Sequence, residues 1–248
     1  MEWWTTTQYR VLKRIAPGEP PHMTGEVYKD RSKLEVLLGK ALLDRLRGKV
    51  VLDFGCGSGE CAVDLAKRGA AKVVGLDIRP AALDQARELA QEQACGDRCE
   101  FTTAASELVD AVVSIDAFEH FANPAAMLSE MYRLLKPGGI VAISFGPTWY
   151  HPLGGHLFSV FPWAHLVFSE AALLRWRSDL RDDGATRFGE VEGGLNQMTI
   201  RRFERIVNGS QFRIEVLEPV PIRKLRWLHN GITREFTTAV VRCLLARG

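Results

Sequence analysis

Apolar residues recur along this chain with two different periods, and the switches between them predict alternating helices and strands. From Ser32 to Leu46 the apolar positions Leu34, Leu37, Leu38, Ala41, Leu42 and Leu46 keep helical spacing and stop at Gly48. A short continuous apolar run, Val50 to Leu52, closes on Asp53, as expected of a strand covered on both faces. Ala62, Val63, Leu65 and Ala66 then predict a helix, and Lys72 to Leu76 a second strand closing on Asp77. Pro80 opens a helix over 81–93 with the stripe Ala82, Leu83, Ala86, Leu89 and Ala90. Strands follow over 99–103, 110–115 (closing on Asp116) and 140–145. Between the last two lies an amphipathic helix over 124–135, stopped by Lys136-Pro137-Gly138-Gly139. Thr199 caps a helix over 200–207, and 212–217 and 236–245 supply two final strands. Strand alternating with helix predicts an α/β fold.

Two stretches fall outside this series. Residues 1–31 form an N-terminal arm whose Trp3, Trp4 and Tyr9 precede Pro17, Gly18, Pro20 and Pro21. Those aromatics either cover a bound ligand or pack on the domain surface. Residues 147–197 form an insertion after the fifth strand, where a substrate lid can be built. At 248 residues, a single domain with an insertion (1–248) is favoured over two domains.

Composition narrows the partners. With 32 basic and 30 acidic residues the net charge is +2, which argues against strong steering by nucleic acid. The N-terminus carries neither a basic leader nor an apolar signal core, and the long apolar stretch 157–168 is too short to span a bilayer and holds His165. Five cysteines give no disulfide framework, and Cys95 and Cys99 lack the second pair that a zinc site wants. The expectation is a cytoplasmic protein with reduced thiols.

The most informative stretch is Asp53-Phe-Gly-Cys-Gly-Ser-Gly59, between the first strand and its helix. Glycine permits positive φ and close approach of a ligand, and the helix start offers free N–H groups. Asp77, at the end of the second strand, is suited to grip vicinal ribose hydroxyls. A dinucleotide fingerprint would place its third glycine at Glu60, where a carboxylate would repel a pyrophosphate. The pattern Asp-x-Gly-x-Gly-x-Gly instead resembles motif I of class I S-adenosylmethionine-dependent methyltransferases, of the small-molecule, type 11-like kind. Leu134-Leu-Lys-Pro-Gly-Gly139 ahead of an apolar strand is similar to the same class.

The resemblance implies a Rossmann-like seven-stranded, mostly parallel sheet with helices on both faces and an antiparallel last strand. It implies S-adenosylmethionine as cofactor and S-adenosylhomocysteine as product, with no metal. Its cofactor-binding residues would be Asp53 near the amino group, Gly55, Cys56, Gly57 and Gly59 around the methionine part, and Asp77 and Ile78 at the ribose and adenine. Asp116 and Phe118 would line the same pocket. After the third strand, where the family places an acid or small polar residue, this chain offers only Ser106 or Glu107.

Methyl transfer from a sulfonium needs mainly positioning, and a base only for a hydroxyl or protonated amine. His120, with Glu119 or Asp116 orienting it, is the candidate base; the alternative is that it caps the next helix or packs against the cofactor's adenosyl end. His151 and His156 are alternative bases. Trp149, Tyr150, His151, Phe161 and Trp163 are candidates for a substrate wall, and the same residues would also serve as the core of a helical cap. The basic group Arg223, Lys224, Arg226, with Trp227, His229 and Arg234, suits phosphate contact or a plain solvated surface. The leading expectation is methylation of a small molecule at oxygen. The alternatives are methylation of RNA or protein, and a cofactor-binding module without transfer.

Overall fold

The strand–helix series folds into one seven-stranded sheet of order β3-β2-β1-β4-β5-β7-β6. The structure is a computed structural model that describes residues 2–18, 32–182, 184–191 and 193–248; Pro20 and Pro21 of the arm lie outside the described residues. Helices α1 (Glu2–Ile15), α2 (Lys33–Leu38) and α3 (Lys40–Arg45) precede β1 (Val50–Phe54). Then come α4 (Glu60–Lys67), β2 (Lys72–Leu76), α5 (Pro80–Glu92), β3 (Cys99–Thr102) and β4 (Val109–Ile115). After α6 (Pro124–Leu134) and β5 (Leu135–Phe145), the insertion contributes α7 (Ala164–Val167) and α8 (Glu170–Ser178). The chain closes with α9 (Ile200–Asn208), β6 (Arg213–Pro221), α10 (Arg234–Thr237) and β7 (Thr238–Ala246).

β1 to β5 pair in parallel, and β7 is antiparallel to both β5 and β6. The carboxyl ends of β1–β5 and β6 therefore share one edge with the start of β7. Alternate residues of each strand serve opposite faces. Val51, Ala111, Val113 and Ala142 meet α2–α5 in one core, while Leu52, Val112, Val141 and Ile143 meet α6 and α9 in the other.

Four expectations change. The helix over 32–46 is two helices, broken at Gly39 with φ +77°. The Lys136–Gly139 stretch is no turn: α6 runs straight into β5, and Gly138 at φ +74° accommodates a register shift against β4. β6 continues to Pro221, and Phe236 belongs to α10 rather than to β7. The arm, placed outside the helix–strand series by its sequence, is itself helical: α1 packs on α8, and Leu12 is fully buried with Phe158, Leu173, Trp176 and Phe188 in a third core. Gln8 Oε1 accepts from both the N–H and the hydroxyl of Ser169, and the Trp176 indole donates to Ala16 O. Arm and insertion thus form one cap.

Leu12→Ala should cost about 2–5 kcal/mol of cap stability, because the α1–α8 seam cannot fully collapse around the lost side chain. Hydrogen exchange should quicken in α1 and α8 while the sheet amides stay protected. Uniform quickening of both would contradict a separate cap core.

Candidate active site

The turn after β1 is fixed by three successive amides. Gly55 N–H and Cys56 N–H donate to Leu76 O at 2.8 and 3.0 Å, and Gly57 N–H donates to Asp77 Oδ2 at 2.9 Å. Gly55, Gly57 and Gly59 take φ of +83°, +52° and +83°, which L side chains avoid. At Gly59 a Cβ would meet the Ala86 Cβ at 2.7 Å, whereas at Gly57 it would meet only the tip of Arg79, at 3.6 Å. Gly57 thus has room that Gly59 lacks, and α4 begins at the end of the turn.

Four acids converge on these strand ends. Asp53 is buried, with Oδ2 lacking a partner, and burial pushes its pKa up to about 7 against the pull of the Ala62 N–H and Lys33. Burial also acts to raise Asp77, but Arg79 through its side chain and N–H, together with the Gly57 N–H, outweighs it and holds that carboxyl low. Asp116, in the left-handed region at φ +48°, pairs with Lys33 Nζ at 2.6 Å. Glu119 is buried, accepts from Gly146 N–H at 3.3 Å, and leaves Oε2 without a partner. Burial and then the neighbouring Asp116 push its pKa up to about 8. Lys33 and Arg79 were not singled out from the sequence, since helix periodicity says nothing of which acid a lysine will meet.

Residues Phe118–His120 form a single turn of 3-10 helix past β4. His120 Nδ1 lies 2.8 Å from Gly194 O. A carbonyl only accepts, so Nδ1 carries the proton and Nε2 of the neutral ring keeps the lone pair. The His156 ring stands edge-on to it, 5.2 Å between centroids, and its Nε2 is buried without a partner. Burial, then His120, pushes the His156 pKa down to about 4. His151 has its lone pair engaged: Nδ1 accepts the Leu153 N–H at 3.0 Å, and burial lowers its pKa to about 4. Asn196, also missed from sequence, braces the turn by donating through Nδ2 to Phe118 O and Phe121 O, both at 2.9 Å.

The structure brings together Asp53, the glycine turn, Asp77, Asp116, Glu119, His120 and His156. Ile78 follows Asp77 and is 88% exposed at the mouth. Phe118 is instead fully buried among Phe121, Phe145 and Phe203, because the 3-10 turn rolls its ring into the core beneath the sheet. Glu107 pairs with Lys72 at the start of β2, so the connection carrying it and exposed Ser106 is already heading to the opposite end of the sheet. Of the proposed substrate wall, Trp149 packs on His165 and Phe188 inside the cap, and Trp163 donates its indole N–H to Tyr150 O at 2.9 Å. Tyr150 lies tilted against Phe236, and Phe161 meets Phe168 edge-on, with Phe161 still partly exposed. A separate cavity of about 390 Å³, lined by Arg45, Lys49, Asp110 and Lys136, opens at the amino ends of the strands. Among the described residues, no cluster of three or more His, Cys, Asp or Glu side chains is placed to hold a metal, and no helix is long and apolar enough to cross a membrane.

Comparisons with known proteins agree with this layout. Residues 52–143 match the family model of a methyltransferase domain. The chain is 37% identical to the ribosomal protein L11 methyltransferase of Photobacterium profundum over 45% of its own length and 37% of that protein's. It is 38% identical to the ubiquinone biosynthesis O-methyltransferase of Neisseria meningitidis over 40% of its length and 44% of that protein's. The chain thus spans less than half the length of these curated relatives. A magnesium protoporphyrin IX methyltransferase from Synechocystis, solved with bound S-adenosylhomocysteine, superposes with a TM-score of 0.58 at 20% identity, covering 100% of this chain and 97% of that one.

The raised carboxyl pKa values of Asp53 and Glu119 fix the sign of a pH effect. Each group binds its proton more tightly folded than unfolded, so its contribution is full in acid and is lost as pH rises through about 7 and about 8. Below about pH 6.5 the lowered pKa values of His151 and His156 act in the opposite sense, so thermal stability should fall from about pH 7 to about pH 8, where the two carboxyls dominate. Glu119→Gln should flatten the upper part of that curve; an unaltered slope in differential scanning fluorimetry would remove Glu119 from the account.

Proposed function

We propose that this chain, whose residues 52–143 form a class I S-adenosylmethionine-dependent methyltransferase domain, methylates an oxygen atom of a small molecule, with His120 as general base. The observation that carries the reading is the fixed tautomer of His120: Gly194 O holds Nδ1–H and leaves Nε2 able to take a proton. Support for a small acceptor comes from the cap, which reaches His120 through His156 and Gly194 and so roofs the base.

The residues present fit the cofactor. Buried Asp53, with an unsatisfied oxygen, would hold its ammonium group, and the turn, with room at Gly57, would admit the methionine chain. Asp77 would receive the ribose hydroxyls once Arg79 yields one carboxylate oxygen, and exposed Ile78 would lie against the adenine. When bound, S-adenosylmethionine supplies a methyl group on a sulfonium whose sulfur keeps the electron pair of the breaking C–S bond. His120 Nε2 takes the acceptor's hydroxyl proton as the new O–C bond forms. Glu119, neutral at pH 7 by its raised pKa, does not compete for that proton, and Asn196 keeps the turn in place.

Asp77→Ala should weaken S-adenosylmethionine binding by about 1–3 kcal/mol in calorimetry. An unchanged dissociation constant would contradict the ribose assignment. Because a cationic group would draw Asp53 into its charged form, affinity should rise as pH increases from about 5.5 to about 7, and Asp53→Asn should abolish that rise. His120→Ala should cut turnover by on the order of 10²–10⁴-fold with cofactor affinity kept. A radiolabelled-methyl assay over hydroxylated metabolites, in which the variant matched the parent chain, would sink the base.

A further inference from the structure

The connection between β6 and β7 leaves the sheet at the same edge as the candidate active site. It is an ordered loop whose polar groups are engaged inward. Ile222 N–H donates to Thr237 O at 2.8 Å, His229 Nδ1 meets the Thr237 hydroxyl at 2.9 Å, and Asn230 Oδ1 accepts the N–H groups of Ile232 and Thr233. Glu235 caps α9 by accepting from Ile200 N–H and Arg201 N–H, and Arg234 binds Glu204 through both guanidinium nitrogens. With the loop's hydrogen bonds turned inward, its apolar side chains face out: Trp227 is 81% and Ile232 85% exposed, and Leu228 and Phe236 are also exposed. Beside them Arg223, Lys224 and Arg226 are exposed, and residues 222–234 contain no acid.

We infer that this loop docks the protein on an anionic lipid surface, bringing the mouth of the active site to the bilayer. An indole suits the headgroup level, aliphatic tips gain by entering the acyl boundary, and lysine and arginine gain from lipid phosphates. RNA is the poorer match, because Ile232 and Leu228 offer bases no stacking face. The pattern recurs on α1, at the cap: Trp4, Val11 and Ile15 form one exposed stripe beside Arg10 and Arg14. Taken with the methyl-transfer reading, on which this last step rests, docking assigns the acceptor to hydroxyl compounds dissolved in the bilayer.

The test is flotation of the full chain with vesicles of phosphatidylcholine, with and without phosphatidylglycerol, alongside titration with single-stranded polyuridylate. The expected result is binding to the anionic vesicles, with a blue shift of tryptophan emission that Trp227→Ala diminishes. The triple change Arg223→Glu, Lys224→Glu, Arg226→Glu should weaken vesicle binding by roughly a hundredfold or more. These surface variants should keep the parent's unfolding temperature and S-adenosylmethionine affinity. His120→Ala should keep vesicle binding, so loss of the base and loss of docking are separable. No vesicle binding, binding unaffected by either loop variant, or tighter binding to polyuridylate would each overturn the inference.

Discussion

Three consecutive backbone amides, those of Gly55, Cys56 and Gly57, are committed to the last carbonyl of β2 and to the Asp77 carboxylate. That commitment forces the chain through a left-handed path only glycine tolerates cheaply, and it starts α4 where the turn ends. It also ties the ligand-facing turn to the acid proposed to hold the ribose, so a single carboxylate shapes the cradle and would serve it. The rest of the carboxyl edge is built outward from this pin: Asp53 just before it, Asp116 and Glu119 just past the neighbouring strand, and the cap beside them.

The charge balance at this edge is unusual for a protein of net charge +2. Asp77 acts on Asp53 and Asp116 on Glu119, and among the described residues Lys33 and Arg79 are the cations paired with these acids. Burial keeps Glu119 mostly protonated and Asp53 only partly charged at pH 7, which lowers the repulsion among these acids and leaves Asp53 able to charge against a cation. A sulfonium and an ammonium group are cations of that kind, and a pyrophosphate is not.

The cap shows how function can be added to this sheet without altering it. Its core of Leu12, Phe158, Leu173, Trp176 and Phe188 joins the arm to the insertion, apart from the two cores that flank the strands. Through His156, Gly194 and Asn196 it reaches the turn that carries His120. Several aromatics read as a possible substrate wall are committed to this packing, whereas buried polar atoms of His156 and Glu119 are left without partners.

What the chain alone determined is what local physics writes into a sequence. Strand and helix periods, the glycines that permit positive φ, and the acids closing β1, β2 and β4 all depend on neighbours within a few residues. The fold, and the place in it of the glycine turn and the acids beside it, were therefore legible. Local signals misled where context overrode them: at Lys136–Gly139, sheet pairing absorbed a turn-like sequence, and at Phe118 a single turn of 3-10 helix sent the ring inward. Tertiary structure alone decided that Lys33 meets Asp116, that Gly194 sets the tautomer of His120, and that Leu12 is buried while Trp227 is not. Each of these joins residues far apart in the chain or depends on what covers a side chain, and periodicity records only which face a residue occupies.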